Sequence, residues 1–299
     1  MALLDRKTNE KNIPHAPTPS PSDDTHSHTH AHPHTHSKKP HAALKMVSGL
    51  SSNYNRYFSS GVYTFRYPAV NQHTLAFIDR YMAKRRGDSH ILDYGCGDGR
   101  YLTALLHHFP KARFTAFDIA SAPLKRLEKK LLQLQAIKRV TIIDDNDTLS
   151  QSLNMGGKVD IALILFGVFS HIESAKQRQT LLLSLRDSIA ATSGKLILSV
   201  PNKARRFKRE QQQQKSHEIQ YTRHIHLQDV MFYYHLYSVK TISDELAQAG
   251  LHVVDVRAES IFPESWVTRF SLLGKIDQHL CKILPADWGY GILLCCQAK

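Results

Sequence analysis

Ten residues, Ile91-Leu92-Asp93-Tyr94-Gly95-Cys96-Gly97-Asp98-Gly99-Arg100, constrain this chain more than any other stretch. An apolar run passes directly into a loop with glycine at every second position, and a helical pattern follows. Glycine has no Cβ, so such a loop turns sharply and lets a ligand approach the backbone. The spacing Asp-x-Gly-x-Gly-x-Gly differs from the Gly-x-Gly-x-x-Gly dinucleotide fingerprint, and the missing Gly-Lys-Ser/Thr ending excludes a phosphate-binding P-loop. A second apolar run, Phe114-Thr115-Ala116-Phe117-Asp118, ends in an acid about 20 residues on, where a fold of this kind offers a carboxylate to ribose hydroxyls. A glycine loop with a ribose acid also suits a domain that binds NAD or another nucleotide.

Around this motif, short β-rich runs alternate with helical patterns, which predicts βαβ units and a mainly parallel sheet. The expected strands are His90–Tyr94, Arg113–Phe117, Val140–Asp144, Asp160–Phe166, Lys195–Val200, His252–Val256 and Ile292–Gln297. Helices are expected near Tyr101–His108, Ala122–Gln135, Ser174–Ala191 and Val239–Ala249, the last stopped by Gly250. The architecture predicted is thus α/β: a doubly wound, mainly parallel, seven-stranded Rossmann-like sheet. Residues 46–88 read as a helical cap, with Tyr54, Tyr57, Phe58, Tyr63, Phe65 and Tyr67 ahead of a helix around Asn71–Lys84. Such a cap is placed to lie over a ligand, although packing alone also gathers aromatic rings.

In its glycine loop and second-strand acid, the chain resembles the class I S-adenosylmethionine-dependent methyltransferase family over roughly residues 89 to 200. The resemblance implies S-adenosylmethionine as cofactor, with Gly95, Gly97 and Gly99 shaping the pocket around its methionine part. It further implies that Asp93 helps hold the amino group and that Asp118 binds the ribose hydroxyls. The end of the third strand would flank the adenine, which points to Asp144 or Asp145, with Asp145 preferred. The apolar segment Gly291–Cys296 would be the antiparallel final strand of that fold, so the methyltransferase domain is expected to span 89–299.

The cofactor's sulfonium is an activated methyl donor, which leaves the protein to align the acceptor, exclude water and, where needed, remove a proton. Substrate is expected beyond the carboxyl ends of the strands, near Phe166-Gly167-Val168-Phe169-Ser170-His171. His171 is the one nominated base; a histidine opening a helix also serves as a structural hydrogen-bonder. Members of the resembled family that methylate exocyclic amines or glutamine carry Asn/Asp-Pro-Pro-aromatic after the fourth strand, and the cytosine-C5 enzymes carry a Pro-Cys or Thr-Cys near the fourth or fifth; neither sequence is found here, so the resemblance implies other acceptors. Residues 201–237 read as a basic substrate-side insertion, with Arg205 and Arg206 in the run Lys203–Arg209 and Tyr233, Tyr234 and His235 before the next helix. The phrase Tyr233-Tyr234-His235-Leu236-Tyr237 is similar to one in the tRNA wobble-uridine methyltransferases.

Three functional readings follow. The first is methyl transfer to an oxygen or nitrogen of a small molecule. The second is tRNA or other RNA methylation, favoured by a net charge of +13. The third is a non-catalytic metal-binding or scaffold protein. This last rests on residues 1–45, a polar tail expected to be disordered, in which His26, His28, His30, His32, His34 and His36 alternate with small residues and suit a divalent transition metal. The four cysteines form no zinc or disulfide spacing, and neither a signal pattern nor an apolar run of about 20 residues is present. A soluble cytoplasmic protein with no membrane partner is expected.

Overall fold

A computed structural model describes residues 41–83, 88–155, 157–225 and 228–299, with side chains from residue 49 onward apart from residue 228. The six tail histidines proposed as metal ligands lie outside the described residues.

The chain opens with three helices, α1 (His41–Ser59), α2 (Val62–Arg66) and α3 (Gln72–Met82), and then alternates. The order is β1 (His90–Tyr94), α4 (Arg100–His108), β2 (Arg113–Phe117), α5 (Ser121–Gln133), β3 (Val140–Ile143), α6 (Asn146–Met155), β4 (Ile161–Ile164), α7 (Ala175–Ser188) and β5 (Lys195–Pro201). A short helix α8 (Lys208–Gln214) precedes a hairpin of β6 (Glu218–Ile225) and β7 (Gln228–His235). The chain closes with α9 (Val239–Gln248), β8 (Leu251–Ser260), α10 (Glu264–Val267), α11 (Ser271–Ile283) and β9 (Gly291–Ala298). All seven expected strands are present.

The central sheet has the order β3-β2-β1-β4-β5-β9-β8. Strands β1 to β5 pair in parallel, whereas β9 runs antiparallel to both its neighbours. Because successive strand residues face opposite sides, Ile91, Phe114, Leu163 and Ile197 pack with α3, α4 and α5 on one face. Their neighbours Leu92, Phe117, Ala162 and Leu198 pack with α6, α7 and α9 on the other. Two-sided burial is the reason these strands read as continuous apolar runs.

Capping sets several helix starts. Asn71 accepts the amide hydrogen of His73 to begin α3, and Ser238 and Thr241 form a reciprocal capping box at α9. The expected cap, 46–88, divides in role: Phe77, Ile78 and Met82 of α3 belong to the main core, while only the α1–α2 region sits over the strand ends.

Two features depart from the sequence reading. Residues 218–235 form a two-stranded antiparallel hairpin separate from the main sheet, and Phe232–His235 lie in its second strand rather than at a helix edge. In addition, β8 continues to Ser260, with register irregularities at Val253/Asp255 and Ala258/Ser260. Among the described residues, no helix is long and apolar enough to cross a membrane.

Candidate active site

The strand order reverses between β1 and β4, and the crevice there opens at the carboxyl ends of the parallel strands. A cavity of about 1420 Å³, its open mouth included, occupies this place. Its floor is Tyr94, Gly95, Gly97, Phe117 and Asp118, and its far wall is Phe166, Gly167, Val168 and Pro201. Tyr54, Tyr57, Phe58, Tyr63 and Tyr67 form one cover, and Tyr221, Phe232 and Tyr234 of the hairpin form another. Phe65, grouped with these rings in the sequence, is 69% exposed, with Arg269 over its outer face.

The turn that carries the floor holds three glycines with positive φ, 77° at Gly95, 56° at Gly97 and 75° at Gly99; Gly95 and Gly97 line the cavity, whereas Gly99 sits outside its lining as the N-cap of α4. A side chain at Gly95 would stand 2.5 Å from Val168 Cγ1, one at Gly97 would stand 2.9 Å from Phe58, and one at Gly99 would stand 2.4 Å from Leu127. Gly95 and Cys96 both donate their amide hydrogens to the Phe117 carbonyl at 2.7 and 2.9 Å, which locks the turn after β1 to the end of β2.

Asp118 completes the lock: its Oδ2 accepts the Gly97 amide hydrogen at 2.8 Å, and its Oδ1 accepts that of Ala120 at 2.9 Å. Burial pushes its carboxyl up to about 6, against the pull of those two bonds. Asp93, at the penultimate position of β1, is 4% exposed, and no side-chain hydrogen bond joins it to the described residues. Burial, and then the neighbouring charge of Asp118, lift it to about 7. Asp145 does not line the cavity; it is fully exposed, and its Oδ1 accepts the Thr148 amide hydrogen at 2.8 Å to start α6. Asp145, expected on the adenine side, thus stands at the start of α6 outside the cavity lining.

On the far wall, Phe166 adopts φ 60° and Gly167 adopts φ 75°, a left-handed pair that projects the Phe166 ring into the cavity. The Phe166 amide donates to Ser199 Oγ at 2.7 Å, and the Arg100 guanidinium lies 4.5 Å over its ring. Arg100 in turn pairs with Glu264 at 3.1 Å, both side chains being less than a tenth exposed. His171 lines the cavity with its Nδ1 2.8 Å from the Tyr233 carbonyl. A carbonyl only accepts, so Nδ1 carries the proton and Nε2 keeps its lone pair. Burial pulls the imidazole down to about 4, so it is neutral at pH 7.

The residues proposed on the substrate side separate. Phe166, Arg206 and Tyr234 line the cavity; Arg205, Tyr233 and His235 do not. Arg205 donates to the carbonyls of Trp288 at 2.6 Å and Ile261 at 3.5 Å, tying the loop after β5 to the segments that follow β8 and precede β9. The period of two along β7 turns Phe232 and Tyr234 inward and sends Tyr233 and His235 to the opposite face, where His235 packs against His217 and Tyr237.

Several lining residues carried no usable signal in the sequence. Glu259 falls between the pairs Ala258↔Ile292 and Ser260↔Gly291, an irregularity that aims its side chain into the cavity. It is buried with Oε1 unpartnered, and burial beside Glu264 holds its carboxyl well above the ordinary range. Arg66 and Tyr290 likewise line the cavity, and so does Arg223, which the sequence places within the basic insertion 201–237. Among the described residues, no cluster of histidine, cysteine and acidic side chains is placed to hold a metal.

Residues 92–195, which carry the glycine turn and Asp118, match the family model described as a methyltransferase domain. Over these residues the chain is similar to that methyltransferase-domain family. Its fold is shared with solved structures. An S-adenosylmethionine-dependent methyltransferase from Clostridium acetobutylicum matches with a TM-score of 0.54 and 14% identity, over 77% of this chain and 92% of the other. The CcbJ methyltransferase from Streptomyces caelestis matches with a TM-score of 0.55 and 12% identity, over 77% and 90%. A methyltransferase from Methanosarcina mazei matches with a TM-score of 0.51 and 14% identity, over 74% and 96%. These identities speak for the fold alone. A search of curated proteins by sequence found no match.

Proposed function

We propose that this protein transfers the methyl group of S-adenosylmethionine to an oxygen or nitrogen of a small molecule. The observation that carries the reading is the continuity of one covered cavity, from the glycine turn and Asp118 to Phe166, His171 and Tyr234. Ligand sites of this kind are concave and largely apolar, with a few convergent polar groups.

The residues present suit the cofactor. The positive-φ turn lets Val168, Phe58 and Leu127 close onto the backbone while Gly95 and Gly97 face the cavity, and Asp118 offers two oxygens that each already hold one backbone amide and retain a second acceptor site for a ribose hydroxyl. Asp93, buried with no side-chain hydrogen bond to the described residues, suits a cationic amino group. The cofactor, when bound, supplies an electrophilic methyl group, and the chain supplies alignment and dryness. Tyrosines from α1, α2 and the hairpin exclude water; His171 lines the cavity, and with Nδ1 held on the Tyr233 carbonyl its Nε2 remains a neutral acceptor able to take a proton from a hydroxyl or amine.

α1 acts as the clasp between the two ends. Ser51 Oγ donates to the Ile119 carbonyl at 2.7 Å, Asn55 Oδ1 accepts the Ala122 amide hydrogen at 2.7 Å, and Asn53 Nδ2 donates to the Met231 carbonyl of the hairpin at 2.8 Å. The alternative acceptor, RNA, draws support from the net charge and the run Lys203–Arg209, but Arg205 of that run is tied to backbone carbonyls and Arg206 faces into the cavity rather than along a surface track.

Calorimetry with S-adenosylmethionine tests the reading, comparing the wild type with Asp118→Ala and adding a chelator to keep metal off the histidine tail. Binding that weakens ten-fold or more in the variant, about 1.4 kcal/mol, is the expected result. Absence of binding by the wild type overturns it. Methyl transfer to an RNA fragment, steeply lost as salt rises, would move the acceptor from small molecule to RNA.

A further inference from the structure

We infer that the methyl acceptor is a planar anion, a ring bearing a carboxylate or phosphate, held by Arg206 and Arg223 with Arg66 at the mouth of the cavity. This deepens the methyltransferase reading and rests on it for the reaction, though not for the binding site.

Three arginines from three separate elements, α2, the loop after β5 and β6, face this one cavity. Arg66 lies 5.7 Å over the Tyr67 ring, which lines the same cavity. Among the described residues, none of the three has a carboxylate within ion-pair distance, in contrast to Arg100, Arg178 and Arg80, which pair with Glu264, Glu245 and Asp255. The acids nearby do not cancel them. Glu264 is already bonded to Arg100, Glu259 is kept protonated by burial, and Asp118 lies at the opposite, glycine-turn end. The acceptor end of the cavity is therefore net positive.

The way these arginines are held matters as much as their charge. Arg206 lies 4.7 Å over the Tyr290 ring and 5.2 Å over Phe207; Arg223 lies 5.5 Å over both Tyr57 and Tyr221. Stacking on ring faces fixes each guanidinium plane yet leaves N–H groups free at its edge, the geometry that recognises a carboxylate or phosphate in two-pronged fashion. Arg223 uses one edge nitrogen on the Tyr57 hydroxyl at 3.2 Å. Between the cations, Tyr221 and Tyr234 lie near-parallel, 5.8 Å apart at 22°, and Phe166 closes the other side, a flat apolar lining that favours a ring over a chain.

The test is calorimetry on the full chain saturated with S-adenosylhomocysteine, titrated with 4-hydroxybenzoate, phenyl phosphate and the neutral 4-hydroxybenzamide. At least ten-fold tighter binding of an anion than of the benzamide is expected, with the preference lost in Arg206→Met and Arg223→Met. Which anion binds more tightly tells carboxylate from phosphate. S-adenosylhomocysteine binding reports whether each variant is folded, and either variant alone suffices if the other fails to fold. Equal binding of anion and benzamide, or an anion preference that survives both substitutions, overturns the inference and leaves the methyltransferase reading standing. Arginine-dependent anion binding with no S-adenosylhomocysteine binding keeps the anion site and overturns methyl transfer. An RNA hairpin that binds more than ten-fold tighter than either ring anion, through the same arginines, overturns the small-anion assignment in favour of RNA.

Discussion

Asp118 Oδ2 accepts the amide hydrogen of Gly97 at 2.8 Å, so the carboxylate at the end of β2 and the glycine turn after β1 form one rigid unit. With its carboxyl lifted to about 6, Asp118 changes charge within an accessible range. Only the ionised form accepts two hydroxyl hydrogens while keeping its amide bonds. S-adenosylhomocysteine affinity is therefore expected to rise through pH 5–7 and level off above it. Calorimetry across that range checks this, and Asp118→Asn is expected to bind at least ten-fold more weakly with a flattened profile.

Asp93 illustrates a cost borne for binding. Its carboxyl titrates near 7 in the fold against 3.8 when unperturbed, so the native state holds more protons than the unfolded state between those values. By linkage, its contribution to stability declines as pH rises through that window. Asp93→Asn is expected to stabilise the ligand-free protein by about 1–2 kcal/mol at pH 8 and to weaken S-adenosylmethionine binding. Urea denaturation at pH 8 beside a binding titration measures both; a destabilised variant would contradict the account.

At Gly95, backbone and packing act together. Alanine there would hold a left-handed φ of 77° and press both Val168 γ-carbons at 2.5 and 2.6 Å. A loss of about 2–4 kcal/mol is expected. Removing the obstacle with Val168→Ala should recover only the steric part and leave the backbone strain, a split that a double-mutant comparison of denaturation midpoints resolves.

For His171, the two ring nitrogens separate anchoring from chemistry. Asparagine presents an N–H near the place of Nδ1 and can keep the bond to the Tyr233 carbonyl while deleting the Nε2 lone pair. His171→Asn should retain the wild-type melting temperature within a few degrees and lower kcat by about 10²-fold. Since burial keeps the ring neutral down to about pH 4, no inflection in kcat between pH 6 and 8 should arise from this residue.

The Arg100–Glu264 pair is expected to behave as a buried ion pair. Glu264→Gln leaves Arg100 without its counter-charge, at a cost of about 3–5 kcal/mol. Arg100→Met combined with Glu264→Gln should cost less than the two single changes summed, because neither partner is then left charged in the interior. Thermal or chemical denaturation of the three variants tests the coupling.

Much of the fold was legible before any coordinates. The inner strands of the main sheet announce themselves because two-sided burial writes them as apolar runs, as in β4 and β5. The turn at Gly95–Gly99 and the acid Asp118 are legible because a left-handed turn and a buried carboxylate at a strand end leave a narrow choice of residue types. The hairpin 218–235 was not legible as strands. Its inward face alternates Ile219, Tyr221, Arg223 and Ile225, so a cation interrupts the apolar period, and His226-Leu227 between the strands lacks the glycine or asparagine that marks a tight turn.

Sequence by itself therefore determined the strand-turn-helix cradle and the doubly wound sheet, since both follow from local backbone preference and from burial patterns a few residues long. Tertiary structure alone decided which side chains share the cavity. Arg66, Arg206, Arg223 and Glu259 come from four different elements, and Tyr233 and Tyr234 are divided by the pleat of β7. Convergence of this kind depends on strand register and helix docking across more than a hundred residues of chain, and no single stretch of sequence encodes it.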